Sequence, residues 1–270
     1  HLWCRIPFWT SSWGRLRKGT SHAAFGHKMP LGRQRRINAA TSPSQRNGQP
    51  SRLPVILLAR SQPLVAKGRF DHWTLEEWRA CSEDLSEITH NRLGWDITDF
   101  GLGKFNNLGL ILFTIRNGDP QGQDLSKIYA EKILIVDPDQ VTPLHYHWKK
   151  TEDIINRSGG DLVVQLYNST TDGGLDTTDV QVRLDGIMHR VEAGDIRVLR
   201  PGDSITLVPG LYHAFWAEGE RVLVGEVSSV NDDAADNRFY EPVGRFPAIE
   251  EDVPPMRLLV NDYERFLPKS

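Results

Sequence analysis

The chain has 270 residues, 39% hydrophobic and 25% charged, with a net charge of −3, enough for one or two domains around a sizeable core. No apolar run approaches the roughly 20 residues that cross a bilayer, and the two cysteines, Cys4 and Cys81, build no disulfide framework. Transmembrane-helical and disulfide-stapled classes are excluded, and a soluble protein of a reducing compartment is expected.

The charge is divided unevenly. Residues 1–70 hold 13 Lys and Arg and no Asp or Glu, which leaves 19 of the 32 basic residues against all 35 acidic ones in residues 71–270, a net of −16 there. A basic extension over 1–70 and a folded body over 71–270 are therefore expected. The extension shows no sustained periodicity, begins at His1 and has its first methionine at Met29. Four readings are open for it: an Arg- and Ser-rich transit peptide, a basic arm for nucleic acid, an upstream or frame-shifted segment that is not native coding sequence, and a plain disordered tail. No motif supports nucleic acid, and neither nucleic acid nor membrane is expected as a partner.

Order is expected from His72. Thr74 with Glu77 three residues on is a capping box, and Trp78, Cys81, Leu85 and Ile88 fall on one stripe of a helix that Gly94 ends. Cys81 on that stripe reads as a buried small hydrophobe rather than a nucleophile. From Leu110 the pattern changes to short apolar segments between Gly, Pro, Asn and Asp, predicting strands near 110–116, 131–137, 141–147, 152–157, 161–167, 180–185, 195–199, 203–208, 212–217 and 221–228. Asp172 to Gly174, Asp185-Gly186 and Pro201 to Asp203 read as hairpin turns. Many short strands without intervening helices predict an all-β core, an antiparallel barrel or jelly roll behind an N-terminal helical segment. The acidic stretches Asn231 to Arg238 and Glu250 to Asp252 read as solvated loops, and Met256 to Val260 as one final strand. There is no GxGxxG, P-loop or GxSxG, so nucleotide-binding and serine-hydrolase chemistry have no support.

The chemistry gathers between Pro143 and Gly159. Alternate residues of a strand share a face, so His145 and His147 project together, and Glu152 follows after a short turn on the returning strand. Paired histidines on a strand are also ordinary surface residues. The Glu, the Gly and a second segment, Pro209-Gly-Leu-Tyr-His213, favour instead a divalent-metal site of His145, His147, Glu152 and His213. Three neutral imidazoles and a carboxylate suit Mn, Fe, Co, Ni or Zn, and the lack of thiolates argues against structural zinc. On an octahedral ion they leave two positions, for the two oxygens of a hydroxy-carbonyl unit or for O₂. Three polar residues interrupt apolar strand faces: Lys132 beside Leu134 and Val136, Gln165 beside Val163 and Tyr167, and Glu226 beside Val222 and Val224. One face of every strand fills a barrel, so these three are expected to line a polar pocket.

His145-x-His147-x4-Glu152-x6-Gly159 resembles the first cupin motif and Pro209-Gly-x-x-His213 the second, with Asp139 where the first usually has Gly and Ala217 where the second usually has Asn. Longer strings narrow the match. Gly94-Trp-Asp-Ile-Thr-Asp-Phe-Gly101, Tyr129-Ala-Glu-Lys-Ile133, Glu152-Asp-Ile-Ile-Asn156 and Gly225-Glu-Val-Ser-Ser-Val-Asn-Asp-Asp233 resemble the D-lyxose isomerase family of cupins. The resemblance runs from about His72 to Tyr263; residues 1–70 do not share it.

The resemblance implies a cupin jelly-roll barrel and an aldose–ketose isomerase dependent on Mn²⁺, with Co²⁺, Fe²⁺ or Zn²⁺ as other divalent metals. Its substrate partners would be monosaccharides, D-lyxose with D-xylulose and D-mannose with D-fructose, and it would be a cytoplasmic homodimer. His145, His147, Glu152 and His213 would be the metal ligands, and Lys132 would contact substrate oxygens. The expected route is a cis-enediol with Glu226 as first choice of base and Asp233 or Glu241 as alternatives. Two other functions share the ligand set: an iron dioxygenase, and a non-enzymatic sugar-binding cupin, against which Lys132 and Glu226 count.

Overall fold

The computed structural model describes residues 70–246, 255 and 257–267. The expectations for residues 1–69 and for Glu250 to Asp252 lie outside the described residues.

The capping box forms: the Glu77 N–H donates to Thr74 Oγ1 at 3.2 Å and the Thr74 N–H to Glu77 Oε2 at 2.6 Å. It starts α1 (Leu75–Ala80), whose Trp78 is buried against Leu258, Val260 and Tyr263. The single long helix does not form. Cys81 is extended and half-buried rather than buried, and the chain resumes as α2 (Ser86–His90) only after Asp84 accepts the Ser86 N–H at 2.9 Å, a local bond that competes with helix continuation. Gly94 does not end a helix but opens β1 (Gly94–Thr98), with φ +130° and the Tyr263 hydroxyl where a Cβ would stand. Thr74→Ala is expected to cost about 1 kcal/mol of stability, read as a lower urea midpoint at unchanged slope; an unmoved midpoint would show that packing of Trp78 alone holds the helix.

The strands follow as β2 (Leu110–Arg116), β3 (Tyr129–Val136), β4 (Thr142–Tyr146), β5 (Glu152–Asn168), β6 (Val180–Leu184), β7 (Ile187–Val191), β8 (Ile196–Leu199), β9 (Ser204–Leu207), β10 (Leu211–Ser229) and β11 (Arg238–Phe239), with α3 (Tyr263–Phe266) last. Each strand expected between 110 and 228 is present, but two pairs of them are fused into β5 and β10. Among the described residues of the expected final strand, Leu259 bridges to Trp95 before a 3-10 turn at Val260–Asp262.

The ladders between these strands are antiparallel, in the order β1-β2-β3-β10-β5-β9-β6-β7, with β4 on β10, β11 on β4 and β8 on β5. β5 and β10 pair along most of their length, and each changes its other neighbour midway: β10 meets β4 and then β3, β5 meets β9 and then β8. Two long strands thus each border two different sets of strands along their length, which makes a jelly roll. The bend in β5 falls at Gly159, φ +102°, where any Cβ would meet the carbonyl oxygen of Arg221 on β10, so only glycine fits. Asp139, at the usual glycine position of the first motif, takes φ +60°, which Asp tolerates better than most residues.

The run Leu110-Ile-Leu-Phe113 is buried on both faces. Leu110 and Leu112 join the barrel interior with Leu134, Ile154, Val164, Leu166, Phe215 and Val224, whereas Ile111 and Phe113 pack outside it against Trp95, Ile135 and Leu223. Inside the barrel, register sets Thr114, Lys132, Glu226 and Ile154 in one row across β2, β3, β10 and β5. An otherwise apolar interior therefore receives a lysine and a glutamate side by side.

Candidate metal centre

β4 delivers His145 and, just past its end, His147; β10 places His213 opposite His145 in register. The three ring centroids lie 4.2 to 5.7 Å apart, and one ligand nitrogen from each lies within 4.8 Å of the others. Each ring is held by a backbone carbonyl at Nδ1: His145 to Pro143 at 2.7 Å, His147 to Asp236 at 2.7 Å and His213 to Leu211 at 3.0 Å. A carbonyl oxygen only accepts, so each Nδ1 carries the proton and each Nε2 presents a lone pair. Glu152, at the start of β5, brings Oε1 to 3.1 Å from His213 Nε2 and 3.5 Å from His147 Nε2. These contacts set acceptor against acceptor, and His213 Nε2 is buried without a hydrogen-bond partner. A cation between them would remove that mismatch, so the residues present fit a divalent metal. Burial first, then the neighbouring imidazoles for His145 and the Lys150 ammonium for His147, lower the pKa of these two rings and keep them neutral, as ligands must be.

Around the cluster three cations interleave with three carboxylates. Lys150, buried, reaches Glu152 Oε2 at 2.7 Å and Glu226 Oε1 at 2.8 Å. Lys132, also buried, lies 3.6 Å from Glu226 and 3.3 Å from Asp233, and donates to Asn231 Oδ1 at 2.6 Å. Arg245 Nη2 is 3.0 Å from Asp233 Oδ1. Burial alone would raise the pKa of each carboxyl, but the cations outweigh it: Lys150 holds Glu152 well below the usual range, Lys132 and Lys150 lower Glu226, and Lys132 and Arg245 hold Asp233 well below.

A small cavity of about 20 Å³ lies among His145, His147, Lys150, Glu152, Glu226 and Arg245. A second, of about 220 Å³, is bordered by Asp96, Thr114, Asn231, Asp233, Asn261 and again Arg245, among others. Buried polar atoms without a hydrogen-bond partner include Thr142 Oγ1 at the first, Nε and Nη1 of Arg245, which borders both, and His213 Nε2 beside Glu152. Such atoms are costly unless a ligand completes them.

All four sequence-derived metal ligands and three of the four acid–base candidates are brought together. Glu241 is not: it is exposed, and no hydrogen bond or ion pair links it to the cluster. Lys132 lines neither cavity; it sits behind Glu226 and Asp233 and reaches them rather than open space. Gln165 is on the outer side of β5, where it donates to the Gly194 carbonyl at 3.1 Å, since Leu162, Val164 and Leu166 take the interior face. The expectation of three pocket-lining groups thus fails for Lys132 and Gln165 and holds for Glu226.

The stretch read as a solvated loop closes the site instead. The Asp236 carboxylate accepts the N–H groups of Lys149 and Lys150, both at 2.9 Å, its carbonyl holds His147, and Asn231 Oδ1 accepts from the ammonium groups of Lys132 and Lys150. Lys150, Asn231, Asp236 and Arg245 were not found from the sequence. Counting by two from His145 and His147 points to position 149, but β4 ends at Tyr146 and the following turn rotates Lys150 inward.

The family model described as D-lyxose isomerase matches residues 62–263. A D-lyxose/D-mannose isomerase of Serratia proteamaculans is 50% identical over 202 residues, 73% of this chain and 88% of that protein. One from Escherichia coli O157:H7 is 50% identical over 182 residues, 67% of this chain and 80% of that protein. A third, from Thermosediminibacter oceani, is 29% identical over 163 residues, 58% of this chain and 82% of that protein.

Proposed function

The chain belongs to the D-lyxose isomerase family, and from that premise we propose that it is a metal-dependent aldose–ketose isomerase interconverting D-lyxose with D-xylulose and D-mannose with D-fructose. The observation that carries the reading is the cluster of His145, His147 and His213, with their Nδ1 protons committed to carbonyls and the Nε2 atoms of His147 and His213 facing Glu152, beside a cavity that His145, His147 and Glu152 line together with Glu226. His145, His147, Glu152 and His213 would hold a divalent ion, manganese in this reading, which when bound would supply Lewis-acid polarisation of the substrate carbonyl and so acidify the adjoining C–H.

This chain's own residues then move the proton. Glu226, kept ionised by Lys132 and Lys150, takes the C2 proton of the open-chain aldose and returns it to C1 of the cis-enediol, while a hydroxyl proton passes from O2 to O1. Lys150, at the cavity wall, faces the negative charge that develops on the enediolate oxygens. Lys132 acts through Glu226 and Asp233, setting their charge and position. Asp233 lies at the larger cavity, away from the histidines, which favours Glu226 as the base. The family's homodimeric state and cytoplasmic location belong to the same reading. An iron dioxygenase is not favoured, because the relatives that match are sugar isomerases.

A panel of pentoses and hexoses assayed on chelated and Mn²⁺-restored protein tests this. Turnover of D-lyxose and D-mannose by the restored protein alone is expected. Failure to isomerise any of the sugars would defeat the isomerase reading, and undiminished activity after verified metal removal would defeat its metal dependence.

A further inference from the structure

Resting on the isomerase reading, we propose that Arg245 is the substrate-positioning residue of this site, taking sugar hydroxyl oxygens on its unpartnered Nε and Nη1 donors while the distal carbons occupy the 220 Å³ cavity. The smaller cavity, about 20 Å³, is the size of a water rather than of a sugar. A monosaccharide with its reacting end at the histidines has to extend beyond it. Arg245 borders both spaces, so a chain leading from one to the other passes its guanidinium.

That guanidinium is fixed in advance. Nη2 is held by Asp233 at 3.0 Å, the cation stands 4.8 Å from the ring centre of Phe246 and 5.9 Å from those of Phe100 and Phe239, and the backbone carbonyl of Arg245 accepts from the Thr98 hydroxyl. Nε and Nη1 remain buried without a partner. An arginine does not deprotonate in a protein, so these two N–H groups stay donors in need of acceptors. Nε–H and Nη1 do not share an edge of the guanidinium, so each takes a hydroxyl oxygen separately, on either side of the Nη2 that Asp233 holds.

The larger cavity suits a neutral polyol better than an anion. Two guanidinium groups, Arg92 and Arg245, are set there against two carboxyls, Asp96 and Asp233, so the lining carries no large excess of one charge. Asp96 is pushed up to about 7 by its burial and then by the charge of Asp233, which lets it donate as well as accept. Thr114, Asn231 and Asn261 add neutral polar groups, and Leu112, Ala234 and Val260 give the apolar wall that the C–H face of a sugar requires.

The test compares manganese-loaded wild type, Arg245→Met and Arg245→Lys in steady-state kinetics, in inhibition by D-mannitol as an unreactive open-chain polyol, and in manganese content. Arg245→Met is expected to raise KM and the mannitol inhibition constant about 10- to 100-fold, the scale of hydrogen bonds to a charged group, with manganese content at the wild-type level. Arg245→Lys should fall between, because one ammonium keeps the charge and loses the two separately directed donors. Wild-type KM and mannitol inhibition in Arg245→Met would overturn the proposal, as would a loss confined to kcat. Should Arg245→Met not fold, Arg245→Lys decides: unchanged KM and mannitol inhibition there would equally overturn it. Wild type that turns over no sugar defeats the isomerase reading and this proposal with it, whereas normal wild-type turnover with indifferent Arg245 variants defeats the role of Arg245 alone.

Discussion

Glu226→Gln is expected to lower kcat by about 10²- to 10⁴-fold, the usual contribution of a positioned general base, with manganese content unchanged. The amide keeps the shape of the carboxylate but cannot carry a proton between C1 and C2. Glu226 is not among the four ligands, so its loss should leave His145, His147, Glu152 and His213 in place. The same ammonium groups that keep Glu226 ionised also weaken it as a base, so the enzyme depends on acidification of the substrate C–H as well as on the carboxylate. Wild-type turnover by a metal-replete Glu226→Gln protein would remove Glu226 from the mechanism. Solvent deuterium at the transferred position would support the enediol route, and its complete absence would indicate a hydride shift.

The largest stability effect is expected at Lys150. Its ammonium contacts Glu152 at 2.7 Å and Glu226 at 2.8 Å, and all three side chains are buried. Lys150→Met keeps much of the side-chain volume and leaves two buried carboxylates short of a counter-charge. Removing one partner of a buried ion pair costs about 3–5 kcal/mol, and a loss of that order is expected in the urea unfolding free energy of the metal-free protein. Bound manganese should recover part of it, since a cation among the ligands compensates Glu152, so metal should raise the midpoint more in the variant than in wild type. Burial by itself would lower the Lys150 pKa; the two carboxylates reverse this and hold it above the ordinary 10.5. Its stabilising charge is therefore present through neutral pH and is lost only as pH rises past that value. A metal-free Lys150→Met protein as stable as wild type would show that this network contributes nothing to the fold.

The sequence by itself determined the jelly roll and which residues gather as candidate metal ligands, because both rest on local regularities. Short apolar runs such as Leu110 to Phe113 and Val222 to Val224 mark strands, Thr74 and Glu77 form a cap within one turn, and His145 and His147 share a face at a spacing of two. His213 and Glu152 were legible because they stand at fixed offsets from a turn proline-glycine and from the histidine pair. The fusion of four expected strands into β5 and β10 was not legible, since a strand that bends at Gly159 and changes partner resembles two strands with a turn between them. Nor was the fate of the polar residues. Lys132 and Gln165 interrupt apolar strands in the same way, yet one is buried beside Glu226 and the other is bonded outside to Gly194. Lys150 and Arg245 carry no periodic signal at all, because each is turned inward by irregular backbone. Only the tertiary structure decided that the acidic loop from Asn231 to Asp236 folds over the histidines, and with it which of many charges face one another. A buried charge is stabilised by whatever opposite charge packing brings near it, and partners such as Lys150 with Glu226 and Lys132 with Asp233 lie 76 and 101 residues apart in the chain.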